Sequence, residues 1–203
     1  MLRFYKKIAI LLSIIILLSF NIVQASNSSN TIVQNNSTNT DNTGKFYPYI
    51  IYNYDINIIV NENNTLKITE NIGAFFNNPK HGILRQIPLK NKVVRLDGTT
   101  SYNYAKISNI NVTDKYTLTT ENGNKVIKIG DEDSTLKGPK NYSISYVYDL
   151  GKDKIKDYDE LYFNIIGDGW DTIIKNIDFT ITMPKSFDKS KLGFSSRFKR
   201  FYR

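Results

Sequence analysis

The feature that most constrains the fold of this chain is a series of short segments in which polar and apolar residues alternate. The alternation runs from Phe46 to Pro184, and its segments are rich in Ile, Val, Tyr, Phe and Thr. A period of two places successive side chains on opposite faces of a strand. No window longer than about ten residues after residue 25 keeps a helical period with caps. The pattern therefore predicts half-buried strands and argues against a parallel βαβ architecture.

Turn residues between the segments predict two hairpins. One joins 55–58 to 66–69 through Asn61–Asn64, and the other joins 116–120 to 125–129 through Glu121–Asn124. The Asn-Gly pair in the second turn supplies the positive backbone dihedrals that a tight hairpin requires. Further strands are predicted over 106–112, 142–148, 160–166 and 177–183. Half-polar strands at short spacing need a second sheet over their apolar face, so we expect an all-β, antiparallel, Ig-like β-sandwich.

The first 25 residues indicate export. Basic residues at 3, 6 and 7 precede an almost wholly apolar stretch over 8–20, and Val23-Gln24-Ala25 supplies the small residues that signal peptidase needs. We expect a signal peptide helix and an exported chain that begins at Ser26. The alternative is an uncleaved membrane anchor, because the apolar stretch approaches the lower length limit for spanning a bilayer. Both interpretations place the rest of the chain outside the cytoplasm, secreted or membrane-associated.

Composition narrows the class of protein. The chain has 203 residues and no cysteine, so one packed domain must hold together without disulfides. The net charge is +8, but three positive charges lie in residues 3–7 and four in residues 197–203, which leaves +1 for the remainder. A nearly neutral domain argues against a nucleic-acid partner.

These shifts in composition divide the chain into four segments. They are a signal peptide over 1–25, a disordered Asn/Ser/Thr-rich spacer over 26–45, the sandwich domain over 46–186 and a basic-aromatic tail over 187–203. The spacer carries too little apolar surface to offset the entropy of ordering it. The tail has the composition to rest weakly on an anionic membrane surface.

Two motifs interrupt the alternation. The first links Thr69-Glu70 and Phe75-Phe76 to His81-Gly82-Ile83-Leu84-Arg85-Gln86-Ile87-Pro88. The second comprises Glu160-Leu161-Tyr162-Phe163-Asn164, Gly167-Asp168-Gly169-Trp170-Asp171 and the following strand, which ends at Pro184. Together they resemble the Gly-Ile-x-Arg-x-Ile-Pro and Trp-Asn-x-x-Gly-x-x-Trp-Asp segments of the DUF2207 family of predicted membrane proteins. The resemblance covers most of residues 50–186.

The resemblance implies a β-sandwich-like domain on the outer side of the membrane, followed by more extracytoplasmic sequence and then transmembrane helices. It implies no established activity, and it implies structural roles for Glu70, Gly82, Arg85, Pro88, Asn164 and Gly167. The chain departs from the family pattern in having Phe163 in place of Trp, Gln86 in place of Asp, and no hydrophobic segment after the domain. We therefore expect a fragment of a longer membrane protein, with a short secreted relative as the alternative.

Arg85 has two interpretations. Apolar neighbours place it against apolar surface, where a guanidinium is tolerated only with an acidic partner such as Glu70 or one of the Asp residues. The preferred interpretation is a fixed ion pair that locks a long crossover connection. The alternative is capture of an anionic ligand by Arg85.

The turn from Gly167 to Asp171 is the best candidate for contact with a ligand. It presents Trp170 between the carboxylates of Asp168 and Asp171, an arrangement that suits a sugar, whose C–H surface covers an aromatic face while acids bind its hydroxyls. The preferred interpretation is a turn whose Trp closes the end of the sandwich. Paired carboxylates also serve glycoside hydrolysis, but these two sit on one short turn.

Other chemical signatures are absent from the sequence. There is no cysteine, no Gly-x-Ser-x-Gly, no His-Glu-x-x-His and no phosphate loop, and His81 is the single histidine. The acidic clusters at 131–133 and 153–160 are interpreted as solvated loops, so we expect no metal site and no cofactor. The sequence favours a non-enzymatic binding or structural module of the cell envelope whose partner is an unknown envelope component. The alternative is a cell-wall saccharide-binding or glycan-processing protein that uses Trp170, Asp168 and Asp171.

Overall fold

The chain folds almost entirely into β-strands. The computed structural model describes residues 7–13, 45–95, 98–152, 158–167 and 169–195. Thirteen strands and one 3₁₀ turn over Lys189–Lys191 lie within these ranges. The strands are β1 Lys7–Ser13, β2 Tyr49–Val60, β3 Thr65–Lys80, β4 Gly82–Pro88, β5 Lys90–Val94, β6 Thr100–Tyr104, β7 Lys106–Val112, β8 Tyr116–Glu121, β9 Asn124–Gly130, β10 Leu136–Asp149, β11 Tyr158–Asn164, β12 Ile177–Thr182 and β13 Gly193–Ser195.

The largest sheet has five strands in the order β12-β2-β3-β10-β7. The long antiparallel pairs β2–β3 and β3–β10 form its centre, and β12 lies parallel to β2 at one edge. A second sheet has the order β4-β9-β8, β5 pairs with β6, and β11 and β13 flank β1. Parallel pairs, β12–β2, β1–β11 and β1–β13, therefore occur beside the antiparallel ones. No hairpin turn joins β11 to β12, so the connection allows β12 to pair with β2 in either the parallel or the antiparallel direction.

One apolar core joins the layers. The inward positions of β2, β3 and β10 are filled mainly by Ile and Tyr, and those of β4, β9 and β11 by Ile, Leu and Phe. Phe163 of β11 meets Tyr148 of β10 edge to face, with ring centroids 5.2 Å apart. Over 142–149 of β10, buried and half-buried side chains alternate, so one face of the sheet is covered and the other is partly exposed. This is the packed all-β sandwich that the alternation predicts.

Both predicted hairpins are confirmed. β2 and β3 pair antiparallel on either side of Asn61–Asn64, and β8 and β9 pair on either side of Asn122 and Gly123. Asn122 has φ 49° and Gly123 has φ 75°, the left-handed conformations that an Asn-Gly turn provides. The four predicted single strands also occur, as β7, β10, β11 and β12.

The structure differs from the sequence expectations near both ends of the chain. The signal peptide helix is not shown, because Lys7–Ser13 is a strand that pairs in parallel with β11 and β13. A short apolar run is compatible with helix or strand by periodicity alone. The remaining residues of 1–25 lie outside the described residues. The segment predicted as a basic-aromatic tail, 187–203, contains the 3₁₀ turn and β13.

The interpretation of Arg85 as part of a crossover connection is wrong in one respect. Its segment is the strand β4, which pairs with β9 from Gly82↔Gly130 to Pro88↔Asn124. Ile83, Arg85 and Ile87 share the buried face of that strand.

The β5–β6 hairpin was not predicted either, because its tyrosines point outward and its inward positions include Ser101 and Asn103.

Gly82 and Gly130 form the cross-strand pair that begins β4. Both have positive φ, 151° and 141°. A Cβ on Gly82 would lie 1.8 Å from the carbonyl oxygen of Ile129, and one on Gly130 would lie 1.9 Å from that of His81. The close approach of two backbones therefore requires glycine on both strands.

We expect Gly82→Ala and Gly130→Ala each to lower the free energy of unfolding by about 3 kcal/mol or more, since each adds backbone strain and a contact with backbone. Gly123→Ala is the matched control: its φ is also positive but nothing lies within 4 Å of the added Cβ, so about 1 kcal/mol is expected. Urea unfolding followed by the fluorescence of the single tryptophan measures all three. Equal losses would show that the close approach contributes nothing.

Candidate functional site

The site is centred on a carboxylate inside the sandwich. Glu70 lies on β3 at the same parity as the buried Leu66, Ile68 and Ile72, and its exposed fraction is 0%. A carboxylate taken out of water costs several kcal/mol unless it is paired and fully hydrogen-bonded. The surroundings of Glu70 must therefore supply a cation and further donors.

Arg85 supplies the cation from the facing layer. Its side chain is 2% exposed and binds Glu70 through two parallel hydrogen bonds. Nε donates to Oε2 at 2.7 Å, and Nη2 donates to Oε1 at 2.8 Å. The planar fork of arginine matches the two oxygens of a carboxylate, and lysine cannot reproduce this geometry.

Two tyrosines complete the shell around the carboxylate. The hydroxyl of Tyr54 on β2 donates to Oε2 at 2.8 Å, and that of Tyr146 on β10 donates to Oε1 at 2.6 Å. Each oxygen of Glu70 thus accepts two hydrogen bonds, which fills the acceptor capacity of a carboxylate. Four strands, β2, β3, β4 and β10, meet at this one group.

The network holds Glu70 ionised. Burial acts to raise the pKa of Glu70, but the Arg85 guanidinium and the hydrogen bonds from Arg85, Tyr146 and Tyr54 outweigh it and lower that pKa below its ordinary value. Burial, together with the Glu70 charge, raises the pKa values of Tyr54 and Tyr146 well above 10. Both phenols therefore stay protonated and act as donors.

The Gly167–Asp171 turn covers the outer side of Arg85. Its Trp170 ring lies 5.5 Å from the guanidinium carbon and meets Tyr54 edge to face at 5.6 Å. Trp170 Nε1 donates to the carbonyl of Ile166 at 3.1 Å. The ring is half-buried against the apolar core. Trp170 of the second motif therefore packs against Arg85 and Tyr54 of the network around Glu70.

Glycines let the turn approach β4 closely. Gly167 has φ 78°, and a Cβ there would lie 2.8 Å from Nη1 of Arg85. A Cβ on Gly169 would lie 2.7 Å from Cβ of Gln86. The turn is held by Asn164, whose Oδ1 accepts from the backbone N–H of Gly167 at 3.0 Å. Arg85 Nη1 in turn donates to the carbonyl of Gln86 at 2.9 Å.

The other motif residues have distinct places. Pro88 ends β4, and its carbonyl accepts from the Tyr148 hydroxyl at 2.7 Å. Asp171 is exposed and accepts from the Tyr49 hydroxyl at 2.7 Å, away from the ion pair. Asp168 lies outside the described residues. The structure thus brings Arg85, Glu70 and Trp170 together and gives Asp171 a separate partner.

Sequence reasoning missed Tyr54 and Tyr146. Their signal was parity: each falls on the inward face of its strand, among residues that alternate as buried. Where two strands each carry a charged residue at an inward position, further hydrogen-bond donors are needed between the strands. Which of the 14 tyrosines supply them depends on how the sheets are layered.

The single histidine and the acidic side chains are the potential metal ligands of the chain. His81 Nδ1 lies 2.9 Å from the carbonyl oxygen of Ser134 and 3.1 Å from that of Asp131, and it donates to these carbonyls in the Nδ1–H tautomer. In the described ranges no three His, Asp or Glu side chains form a group that could hold a metal ion. Within the same ranges no helix is long and apolar enough to cross a membrane.

Comparison with known proteins gives one extended match. A family model described as the N-terminal domain of DUF2207, a predicted membrane protein, matches residues 50–198. No curated protein matches the chain. Among solved structures, an M1 zinc metallopeptidase from Deinococcus radiodurans is similar at 11% identity and a TM-score of 0.32, over 52% of this chain and 21% of that one. A two-domain M1 zinc metallopeptidase mutant bound to L-arginine gives the same values over 54% and 22%. The chain spans about a fifth of these structures, and the likeness at this TM-score carries no inference.

We expect Arg85→Ala to lower the free energy of unfolding by about 3 to 5 kcal/mol, because it leaves the Glu70 carboxylate buried without a cation. The free energy of unfolding should fall less in the double variant Glu70→Leu/Arg85→Met, since both buried charges are removed together. Lys185→Ala is the control: it breaks an exposed pair with Glu62 at 3.3 Å and should change little. An Arg85→Ala protein with unchanged urea unfolding would favour the anion-binding interpretation of Arg85.

The depressed pKa of Glu70 also predicts a pH dependence. Its stabilising contribution is complete above the unfolded pKa, which lies near the ordinary glutamate value of 4.5, and is lost as pH falls through the lower folded pKa. We expect the wild-type free energy of unfolding to fall more steeply below about pH 4.5 than that of Glu70→Leu/Arg85→Met. Urea unfolding at a series of pH values measures both, and parallel curves would contradict the prediction.

Proposed function

The chain belongs to the DUF2207 family, as the N-terminal domain of a predicted membrane protein, and from this premise we propose that it works outside the cytoplasm as a non-catalytic module of the cell envelope. In this proposal the sandwich is the outer domain of a larger membrane protein. It supplies a rigid structural or binding surface to an envelope component. It does no chemistry of its own.

One observation carries the non-catalytic part of the proposal: the motif residues bind one another. Glu70 accepts four hydrogen bonds, and Arg85 is enclosed by Glu70, the Gln86 carbonyl and Trp170. A group that performs acid–base or nucleophilic chemistry has to reach a substrate. A carboxylate that is 0% exposed and fully hydrogen-bonded serves the fold instead.

The location outside the cytoplasm is supported by the sequence at the amino terminus. Basic residues, an apolar stretch and small residues at 23 and 25 follow one another in the order of a signal peptide. The domain has no cysteine, so its folding is indifferent to an oxidising compartment. Residues 197–203 of the basic-aromatic tail lie outside the described residues. Contact of the tail with a membrane stays a prediction.

The saccharide alternative also stays a prediction. Trp170 is half-buried between Arg85 and Tyr54, which leaves less of its ring for a sugar than an exposed platform would. Asp171 is exposed but bonded to Tyr49. A titration with muropeptides discriminates the two functions, because a sugar stacked on Trp170 would change the fluorescence of the single tryptophan and a structural Trp170 would not respond.

Site-specific labelling tests the proposed location, since the chain has no cysteine of its own. We expect Thr182→Cys, at an exposed position of β12, to react with a charged, membrane-impermeant maleimide in intact cells as fully as in lysed cells. Ala74→Cys, at a position that is 0% exposed, is the control and should react only after denaturation. Labelling of Thr182→Cys only after lysis would overturn the proposed location.

A further inference from the structure

The β5–β6 hairpin has an outer face that is made of tyrosine and lysine. Alternation and register place Lys90 opposite Tyr104 and Lys92 opposite Tyr102, with Val94 at the end of the row. Tyr104 is 61% exposed, Tyr102 49% and Val94 47%. We call these five residues the Tyr–Lys face.

The inner face of the same hairpin is fixed to the sandwich. Val93 is fully buried, and Asn91 Nδ2 donates to the Tyr148 hydroxyl at 2.7 Å. Arg95, which follows β5, pairs with Glu160 of β11 at 2.6 Å. The Tyr–Lys face is therefore held rigidly outward, and its exposure does not come from a loose loop.

Lysine and the two rings act together on this face. The ammonium of Lys90 lies 4.4 Å from the ring centroid of Tyr102 and 5.5 Å from that of Tyr104. The two tyrosines are two residues apart on one strand, which spaces their Cα atoms by about 7 Å. No described atom bonds either hydroxyl, so both are free to bind a partner.

The charge on this face selects an anionic partner. Strands β5 and β6 contain Lys90 and Lys92 and no acidic residue. The remainder of the domain is close to neutral, so the two lysines form a local excess of positive charge. Such a surface is complementary to phosphate or carboxylate groups.

We propose that the Tyr–Lys face docks the domain onto the anionic lipid headgroups of the adjacent membrane. Tyrosine is enriched at membrane interfaces because it has an apolar body and a polar tip, and lysine reaches phosphate from the same depth. The ammonium of Lys90 already lies against the rings of Tyr102 and Tyr104. This arrangement suits a layer of lipid headgroups better than a sugar, which would stack on a ring face. The inference rests on the proposed function only in that the domain lies beside a membrane.

A label on the face tests the proposal in the full chain. Val94→Cys carries an environment-sensitive fluorophore, and vesicles of phosphatidylcholine with or without phosphatidylglycerol are added. We expect a blue shift with the anionic vesicles only. Leu118→Cys, at a 41% exposed position of β8, is the control label and should not respond. Because the label reports its own surroundings, binding by the tail or the amino-terminal stretch does not imitate the result.

Charge variants complete the test. In the Val94→Cys background, Lys90→Gln/Lys92→Gln should weaken the vesicle response about thirty-fold, from the contribution of each lysine near an anionic surface. Lys67→Gln/Lys137→Gln removes the same charge from exposed positions elsewhere and should leave the response intact.

Three results would overturn the proposal. They are a silent label with anionic vesicles, an equal shift at Val94→Cys and Leu118→Cys, and a response to soluble poly(glycerol phosphate) in place of vesicles. The last would identify an anionic polymer as the partner. Because the assay uses purified protein, its failure is distinct from a failure of the proposed location.

Discussion

The rest of this structure depends on the ion pair between Glu70 and Arg85. Each charge is buried, and each would be costly to bury alone. Their bidentate contact, with hydroxyls from Tyr54 and Tyr146, satisfies both oxygens of the carboxylate. The network requires β2, β3, β4 and β10 to sit in one register, because a shift of one residue would turn a charge toward solvent and an apolar residue out of the core. A polar network of this kind specifies one arrangement of the layers more than it adds to their stability.

The same pair explains why the Gly167–Asp171 turn has its shape. Arg85 occupies the space that side chains at Gly167 would need, and Trp170 lies over the guanidinium while it also packs on Tyr54. The indole excludes water from the outer side of the pair, which strengthens the electrostatic attraction between the charges. The two motifs, separated in sequence by residues 89–159, are two halves of one structural element. Their residue types look like those of a reactive site, but their contacts are those of a closed core.

Because the charged motif residues Glu70 and Arg85 bind one another, the surface is the part of the domain that is available to a partner. Both of these residues are buried inside the domain. On the Tyr–Lys face, by contrast, aromatic and cationic side chains are exposed to solvent on an anchored hairpin. This division is compatible with the N-terminal domain of a predicted membrane protein. Aromatic residues thus have opposite uses in one fold: Tyr54 and Tyr146 satisfy a buried carboxylate, and Tyr102 and Tyr104 remain exposed.

Alternation, turn residues and the cost of a buried charge are sufficient to predict eight of the strands, β2, β3 and β7 to β12, both hairpin turns and the need for a partner at Arg85. The sequence offers Glu70 or one of the Asp residues as that partner, and the structure identifies Glu70. The tertiary structure decided that β4 is a strand, that β12 runs parallel to β2, and that a hairpin with outward tyrosines docks through Val93. It also decided which tyrosines complete the network, with Tyr146 lying 76 positions from Glu70. Local patterns encode backbone conformation and the inward face of each strand, whereas partners across layers are set by how separate sheets stack, and no short window of sequence contains that information.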